Sequence, residues 1–354
     1  MNTSVPDYRP QFPAGTRPAI GILGCGGIAR TAHLPAYEQY GLEVAGVWSR
    51  RPETTADVRE RFPFVGRIYA TPEELLEDPD VGIVDLATPA EDRLRWLRAA
   101  VAAGKHVLAQ KPLTTDLAGL APILAEADER GVIVAVNQNA RWAPAWRLAT
   151  LLIENGAIGE VVGVTHLHDK PLPPIAGTPF DDLEHMLISD YLMHWIDITR
   201  CWLAGKDAST VQAVDSRVPG QPVTAKNPWS ASISVACTDG AHALLRVVGD
   251  VRTKKPSCPF WIHGTEGTIR GSVLGGSDRL ELERDDVVTQ YSLRGQWFVD
   301  GFAGAMGELM SAIADNRQPY NSAAHNLASL ELMIGARRSV EDGSRQHPLP
   351  GVQF

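Results

Sequence analysis

The spacing of hydrophobic and polar residues changes near the middle of the chain. Up to about residue 138, short apolar runs alternate with longer stretches of helical spacing. Ala19–Leu23 reads as a buried strand ending in glycines, and Ile28–Tyr40 as a helix. Leu42–Trp48 is a second strand, and Pro52–Arg61 a helix opened by proline. Val81–Thr88 is a third strand. Ala90–Ala103 places Leu94, Leu97, Ala100 and Val101 on one helical stripe, and Gly104 stops it. Lys105–Gln110 and Val132–Asn137 are further strands. Between them Thr115–Arg130 reads as a helix, with Thr114 or Thr115 as its cap. Continuous apolar strands alternating with helices predict a parallel sheet covered on both faces.

The second half loses that rhythm. Trp146–Asn155 and Ile188–Leu203 read as helices, and Val161–His168 alternates like an antiparallel strand. From about Val211 to Tyr291 strands follow one another between Gly, Asp and Ser turns. Gly301–Asn316 and Ala324–Glu341 close the chain as helices. This pattern predicts an α+β domain with a large, mostly antiparallel sheet. The expected division is 1–138 and 139–354. The helix 188–203 and the two closing helices are expected to cover one face of that sheet. The other face would then expose residues such as Ile233, Val235, Leu245 and Val247, or their neighbours. An apolar patch of that size marks an interface, so a homodimer is expected, two-fold pairing being the commonest closed symmetry.

At 354 residues the chain suits two domains. Its net charge of −9 argues against nucleic acid or an anionic membrane as partner. Its 44% hydrophobic and 21% charged residues argue against disorder. No 18-residue apolar run is present, and the first 21 residues have no apolar signal-peptide core. Four scattered cysteines without a C-x-x-C favour a reducing cytoplasm over a disulfide framework.

Gly24-Cys25-Gly26-Gly27-Ile28-Ala29 fits G-x-G-x-x-G/A in the context that motif needs, after a strand and opening a helix. Gly24 permits the turn, Gly26 lets a pyrophosphate approach, and Ala29 allows close helix packing. The helix N-terminus supplies amides and partial positive charge, so Gly24, Gly26, Gly27 and Ile28 are expected to bind a dinucleotide. The second strand ends in Trp48-Ser49-Arg50-Arg51, not in the acid that accepts from an NAD ribose. Ser49 and Arg50 are donors suited to a 2′-phosphate. NADP is therefore favoured, with NAD still admissible if Arg50 stacks on the adenine.

Gln110-Lys111-Pro112 follows the fourth strand. Asp190 and His194, four residues apart, would share one helix face, as a catalytic or a structural pair. Together with IGILGCGGIARTAHLPAY, VDLATP, AGKHVLAQKPL, DYLMHWIDITRCWLAG and IHGTEGTIRG, these segments resemble the glucose–fructose oxidoreductase / inositol dehydrogenase (Gfo/Idh/MocA) family over nearly the whole chain. That family carries E-K-P where this chain has Gln110-Lys111-Pro112, and D-x-x-x-H-x-x-D where it has Asp190, His194 and Asp197. The chain departs from the pattern at Gln110, at Met186–Ser189 and after Thr88-Pro89.

The resemblance implies a Rossmann domain followed by an α+β domain, and hydride transfer from a carbohydrate hydroxyl to NAD or NADP. Thr88, Pro89, Gln110 and Lys111 would join the cofactor site. His194 would be the base, its imidazole titrating near working pH. Asp190 would orient it or contact substrate, and Lys111 would face the developing alkoxide. The Lys111–Pro112 peptide is often cis in similar proteins. An aldose oxidised at its anomeric carbon is the leading substrate, with cyclitols and polyols next. The alternative is an NAD-dependent glycosidase working through transient sugar oxidation. The resemblance further implies a homodimer or homotetramer, and substrate contact by His168. Asn137 and Arg141, just past a parallel strand, would line the crevice or tie the junction by hydrogen bonds. His166 and His168 share a strand face without a third metal ligand, so no metal is expected. The absence of G-x-S-x-G and of G-x-x-x-x-G-K-[ST] disfavours a serine hydrolase and a P-loop NTPase.

Overall fold

The computed structural model describes residues 5–172, 175–249, 253–274 and 278–354, so the first four residues of the N-terminal segment read above lie outside it. The chain forms two compact units. One comprises Arg9–Trp142 and Gly295–Leu327; the other comprises the stretch up to Tyr8, Ala143–Arg294 and Ala328–Phe354.

The first unit contains β1 (Ala19–Leu23), α1 (Leu34–Gln39), β2 (Val44–Trp48), α2 (Pro52–Arg61), β3 (Arg67–Ile68), α3 (Pro72–Glu77), β4 (Val81–Leu86), α4 (Ala90–Ala102), β5 (His106–Gln110), α5 (Leu117–Glu129) and β6 (Val134–Asn137). All its strand pairs are parallel, in the order β3-β2-β1-β4-β5-β6. This is the Rossmann order, whose reversal between β1 and β4 opens a ligand crevice at the carboxyl ends of the strands. The expected helix 28–40 begins as a π-helical turn, Ala29–His33, before α1. The cap of α5 is Asp116, whose carboxylate accepts from Gly119 N at 2.8 Å. Thr114, expected there, instead accepts from Asp116 N.

The second unit begins with α6 (Pro144–Glu154), β7 (Val161–His168) and α7 (Met193–Trp202). Then follow β8 (Ala208–Ser216), β9 (Ser230–Cys237), β10 (His242–Val248), β11 (Cys258–Gly264), β12 (Thr268–Val273), β13 (Arg279–Arg284) and β14 (Val287–Tyr291). The chain closes with α8 (Phe302–Ala314), α9 (Ala323–Glu341) and β15 (His347–Pro348). The nine strands run β14-β13-β12-β11-β7-β10-β9-β8-β15. Among the described residues only β7 and β10 pair in parallel there; β7 pairs antiparallel with β11. Trp146, Trp195, Trp202, His166 and Phe260 form its aromatic core.

Two expectations are corrected here. α8 does not serve the second sheet. Phe302, Met306, Leu309 and Met310 join Ile20, Ile22, Val44 and Ile83 in the core of the first unit. Burying four such side chains contributes roughly 1.5–3 kcal/mol each, enough to draw a late helix into an early domain. Ile233, Val235, Leu245 and Val247 are buried, not exposed, because α6 and α7 pack on their sheet. The opposite face is mixed. Across it Gln212, Ser234, Leu244, Thr165, Trp261, Arg270 and Glu281 lie in register.

Candidate active site

The glycine turn follows β1 directly. Gly24 has φ +105°, and a Cβ there would stand 2.7 Å from the Ala87 carbonyl oxygen. At Gly26 and Gly27 a Cβ would meet nothing within 4 Å. The turn is therefore closed against β4 on one side and open at Gly26–Gly27, the shape a pyrophosphate needs to reach the backbone. At the end of β2, Ser49 Oγ accepts from Thr54 Oγ1 at 2.8 Å. The Arg50 guanidinium lies exposed, 3.3 Å from the Asp92 carboxylate. These residues fit a nicotinamide dinucleotide.

The ends of β4 and β5 are tied together. Arg93 donates to the carbonyls of Thr88, at 2.6 Å, and of Pro112. The Lys111–Pro112 peptide is cis. Gln110 Oε1 accepts from Lys111 N at 2.9 Å, and Gln110 Nε2 lies 3.2 Å from His33 Nε2. His33 Nδ1 is 2.6 Å from Asp85 Oδ2, which also accepts from Tyr37 Oη at 2.6 Å. His33, Tyr37 and Asp85 have no exposed surface. Burial and the Asp85 carboxylate hold the Tyr37 phenol well above its usual range.

Asn137 pairs in register with Gln110 at the end of β6, and both polar atoms of its side chain are buried without a partner. Such a group costs about 1–3 kcal/mol unless something meets it, and so suits a ligand contact. Arg141 is buried and donates to the Tyr320 carbonyl at 2.5 Å, with His325 Nδ1 3.0 Å away.

In the second unit, Asp190 and His194 do not lie in one regular helix. Asp190 belongs to a π-helical turn, Leu187–Tyr191, and His194 to the first turn of α7, with Leu192 between them at ψ 0°. Both are partly exposed. His168 Nε2 lies 2.7 Å from Tyr191 Oη, and Tyr191 stacks on Trp195. Burial, then the Lys170 charge, lowers the His168 imidazole to about 4, so it is neutral. Burial among Trp146, Trp202 and Phe260 lowers His166 to about 3. Among the described residues no group of three or more His, Cys, Asp or Glu could hold a metal ion. None of their helices is long and apolar enough to cross a membrane. Cys25, Cys201, Cys237 and Cys258 are free and buried.

Sequence reasoning singled out none of His33, Asp85, Tyr37, Arg93 and Tyr191 for the site. Asp85 had a signal: an acid inside the apolar strand Val81–Leu86 must be paired if buried.

A Rossmann sheet with a glycine turn open to pyrophosphate, followed by a second unit built on a large, mostly antiparallel sheet, defines an oxidoreductase of the nicotinamide-nucleotide class. Residues 19–138 match the model of the oxidoreductase family with NAD-binding Rossmann fold, GFO/IDH/MocA, and residues 146–270 match that family's C-terminal domain. The chain belongs to the Gfo/Idh/MocA family. It is 30% identical over 258 residues to 1,5-anhydro-D-fructose reductase of Ensifer adhaerens, covering 71% of this chain and 74% of that one. It is 38% identical over 151 residues to dTDP-3,4-didehydro-2,6-dideoxy-alpha-D-glucose 3-reductase of Actinomadura kijaniata, where the match spans 42% of this chain and only 45% of the relative. In fold it is similar to an oxidoreductase from Agrobacterium radiobacter solved with NAD+, L-tartaric acid and magnesium. That match has a TM-score of 0.81 and 22% identity, and covers 94% and 98% of the two chains.

Proposed function

We propose that this protein oxidises a hydroxyl of a carbohydrate, or reduces the corresponding carbonyl, with NADP preferred over NAD. An aldose oxidised at its anomeric carbon is the leading substrate, and a cyclitol or polyol the next. The observation that carries the reading is the placing of Lys111. It stands at the carboxyl end of β5, in the same unit as the open glycine turn, with its backbone held by Gln110. The bound dinucleotide would accept or deliver the hydride.

Gly24, Gly26, Gly27 and Ile28 bind the pyrophosphate, and Ser49 and Arg50 meet a ribose 2′-phosphate. Thr88 and Pro89 line the β4 side. The Lys111 ammonium faces the oxygen on which negative charge develops. His194 takes the hydroxyl proton, and Asp190 orients the imidazole or bonds the substrate. Asn137 supplies an amide for a sugar hydroxyl, and His168 acts through Tyr191. Support for a sugar substrate comes from the relatives: besides the two reductases above, a levoglucosan dehydrogenase of Pseudarthrobacter phenanthrenivorans is 26% identical over 284 residues. The four free, buried cysteines fit a reducing cytoplasm, and a homodimer or homotetramer is the proposed assembly.

The test is a panel of aldoses, cyclitols and polyols, each with NAD and NADP, read at the absorbance of reduced nicotinamide. In the same assay Lys111→Ala should lower kcat by about 10²–10³-fold, the usual loss for one electrostatic donor. Aglycone release from a glycoside without net reduction would replace this reading with a glycosidase.

A further inference from the structure

The buried side chains behind Lys111 have a proton order that can be read atom by atom. A backbone N–H only donates, so the Gln110 oxygen must be the atom facing Lys111 N. The Gln110 amide nitrogen then faces His33 and donates to its Nε2. That nitrogen carries a lone pair, so the imidazole proton sits on Nδ1, against the Asp85 carboxylate. Tyr37 donates to the same carboxylate oxygen.

The groups facing His33 come from four elements. Asp85 comes from β4, Gln110 from β5 and Tyr37 from α1. Phe302 comes from α8, its ring centroid 4.8 Å away. Asp85 and Tyr37 alone among them titrate, and Tyr37 keeps its proton far into the alkaline range.

We propose that Gln110 is a positioning residue, which fixes the Lys111 backbone through His33 and Asp85 and, being an amide, does so without gaining or losing a proton across the working pH range. The proposal rests on the reading of Lys111 as the alkoxide-facing cation. A carboxylate at 110 would reverse the order. One oxygen would still accept from Lys111 N, but the other would face Nε2 and require a proton there. The ring would become an imidazolium between two carboxylates, and the anchor would hold only while that second proton stayed. The chain's amide removes this dependence.

The test joins two readouts on the intact protein. Long-range proton–nitrogen NMR of imidazole-labelled enzyme should show the His33 ring neutral with Nδ1 protonated. Gln110→Glu should convert that one ring to the doubly protonated form at the acid end, which also assigns it. Its kcat should fall about tenfold or more as pH rises through the loss of that proton, a limb the wild type lacks. Gln110→Ala should lower kcat by up to about 10²-fold at every pH, the scale of a misplaced catalytic group, without adding a limb. A wild-type His33 protonated at Nε2, a Gln110→Glu profile parallel to wild type, or full turnover in Gln110→Ala would each overturn the proposal. Full turnover in Lys111→Ala would remove the alkoxide reading instead, and the spectra would still decide the proton order.

Discussion

Alanine at position 24 tests whether the glycine turn is a built cradle or merely a flexible link. Gly24 has φ +105°, outside the left-handed helical region that other residues occasionally occupy. Holding a residue with a Cβ there costs about 1–3 kcal/mol. The added methyl would also stand 2.7 Å from the Ala87 carbonyl oxygen and 2.9 Å from its carbon. Both are backbone atoms and cannot rotate aside, so β1 and the end of β4 must separate, at an overpacking cost of about 1–3 kcal/mol. The sum, about 2–6 kcal/mol, is a large part of the 5–15 kcal/mol typical of a domain. At about 2–4 °C per kcal/mol for a unit of this size, the Tm of the ligand-free protein should fall by about 4–24 °C. Gly26→Ala is the contrasting variant, because its Cβ meets nothing within 4 Å. Its Tm should stay within about 2 °C of wild type, while NADP binding weakens about tenfold or more because the methyl stands where the phosphates approach. Differential scanning fluorimetry and a cofactor titration separate the two. A Gly24→Ala protein that melts with the wild type, or a Gly26→Ala protein that binds NADP equally well, would refute the cradle.

Three further outcomes are expected. Ser49→Asp combined with Arg50→Ala should weaken NADP selectively, because each charge-assisted hydrogen bond is worth about 1.5–3 kcal/mol; a wild type that binds NAD more tightly than NADP would already end the 2′-phosphate role. His166 and His168 are held neutral, at about 3 and about 4 against an ordinary 6.5. The unfolded state therefore binds protons first as pH falls below 6.5, and stability is lost in that window, by up to about 3 kcal/mol per histidine at pH 4. Denaturant titrations at pH 7 and pH 4 should show this loss, and His166→Leu should reduce it; an unchanged slope in that variant would show that His166 does not titrate on unfolding. Light scattering at micromolar concentration should give twice the chain mass or more, and a clean monomer would show that the mixed outer face of the second sheet is not an interface.

Local physics was enough for much of the first unit. β1 at Ala19–Leu23 and α2 at Pro52–Arg61 fall where the apolar run and the helix-opening proline put them. The glycine turn was legible because only a residue without a Cβ fits both its φ and its distance to Ala87. The T-x-x-E at Thr71–Glu74 was also readable as a helix start. There Thr71 accepts from Glu74 N and Glu74 accepts from Ala70 N, but the helix is a short, six-residue one and was missed. Non-local contacts decided the rest. The apolar residues of α8 mark it for burial, but no local signal says in which core, and joining the buried cluster of the first unit, with Ile20 and Ile83, settled that. The alternation of β9 and β10 shows that one face is buried, while which face the helices cover depends on α6 and α7 meeting strands far away in sequence. The His33–Asp85–Gln110 chain spans three segments that are unremarkable apart. It exists because a parallel sheet brings the ends of β4 and β5 beside the turn before α1, where a buried carboxylate must find its donors.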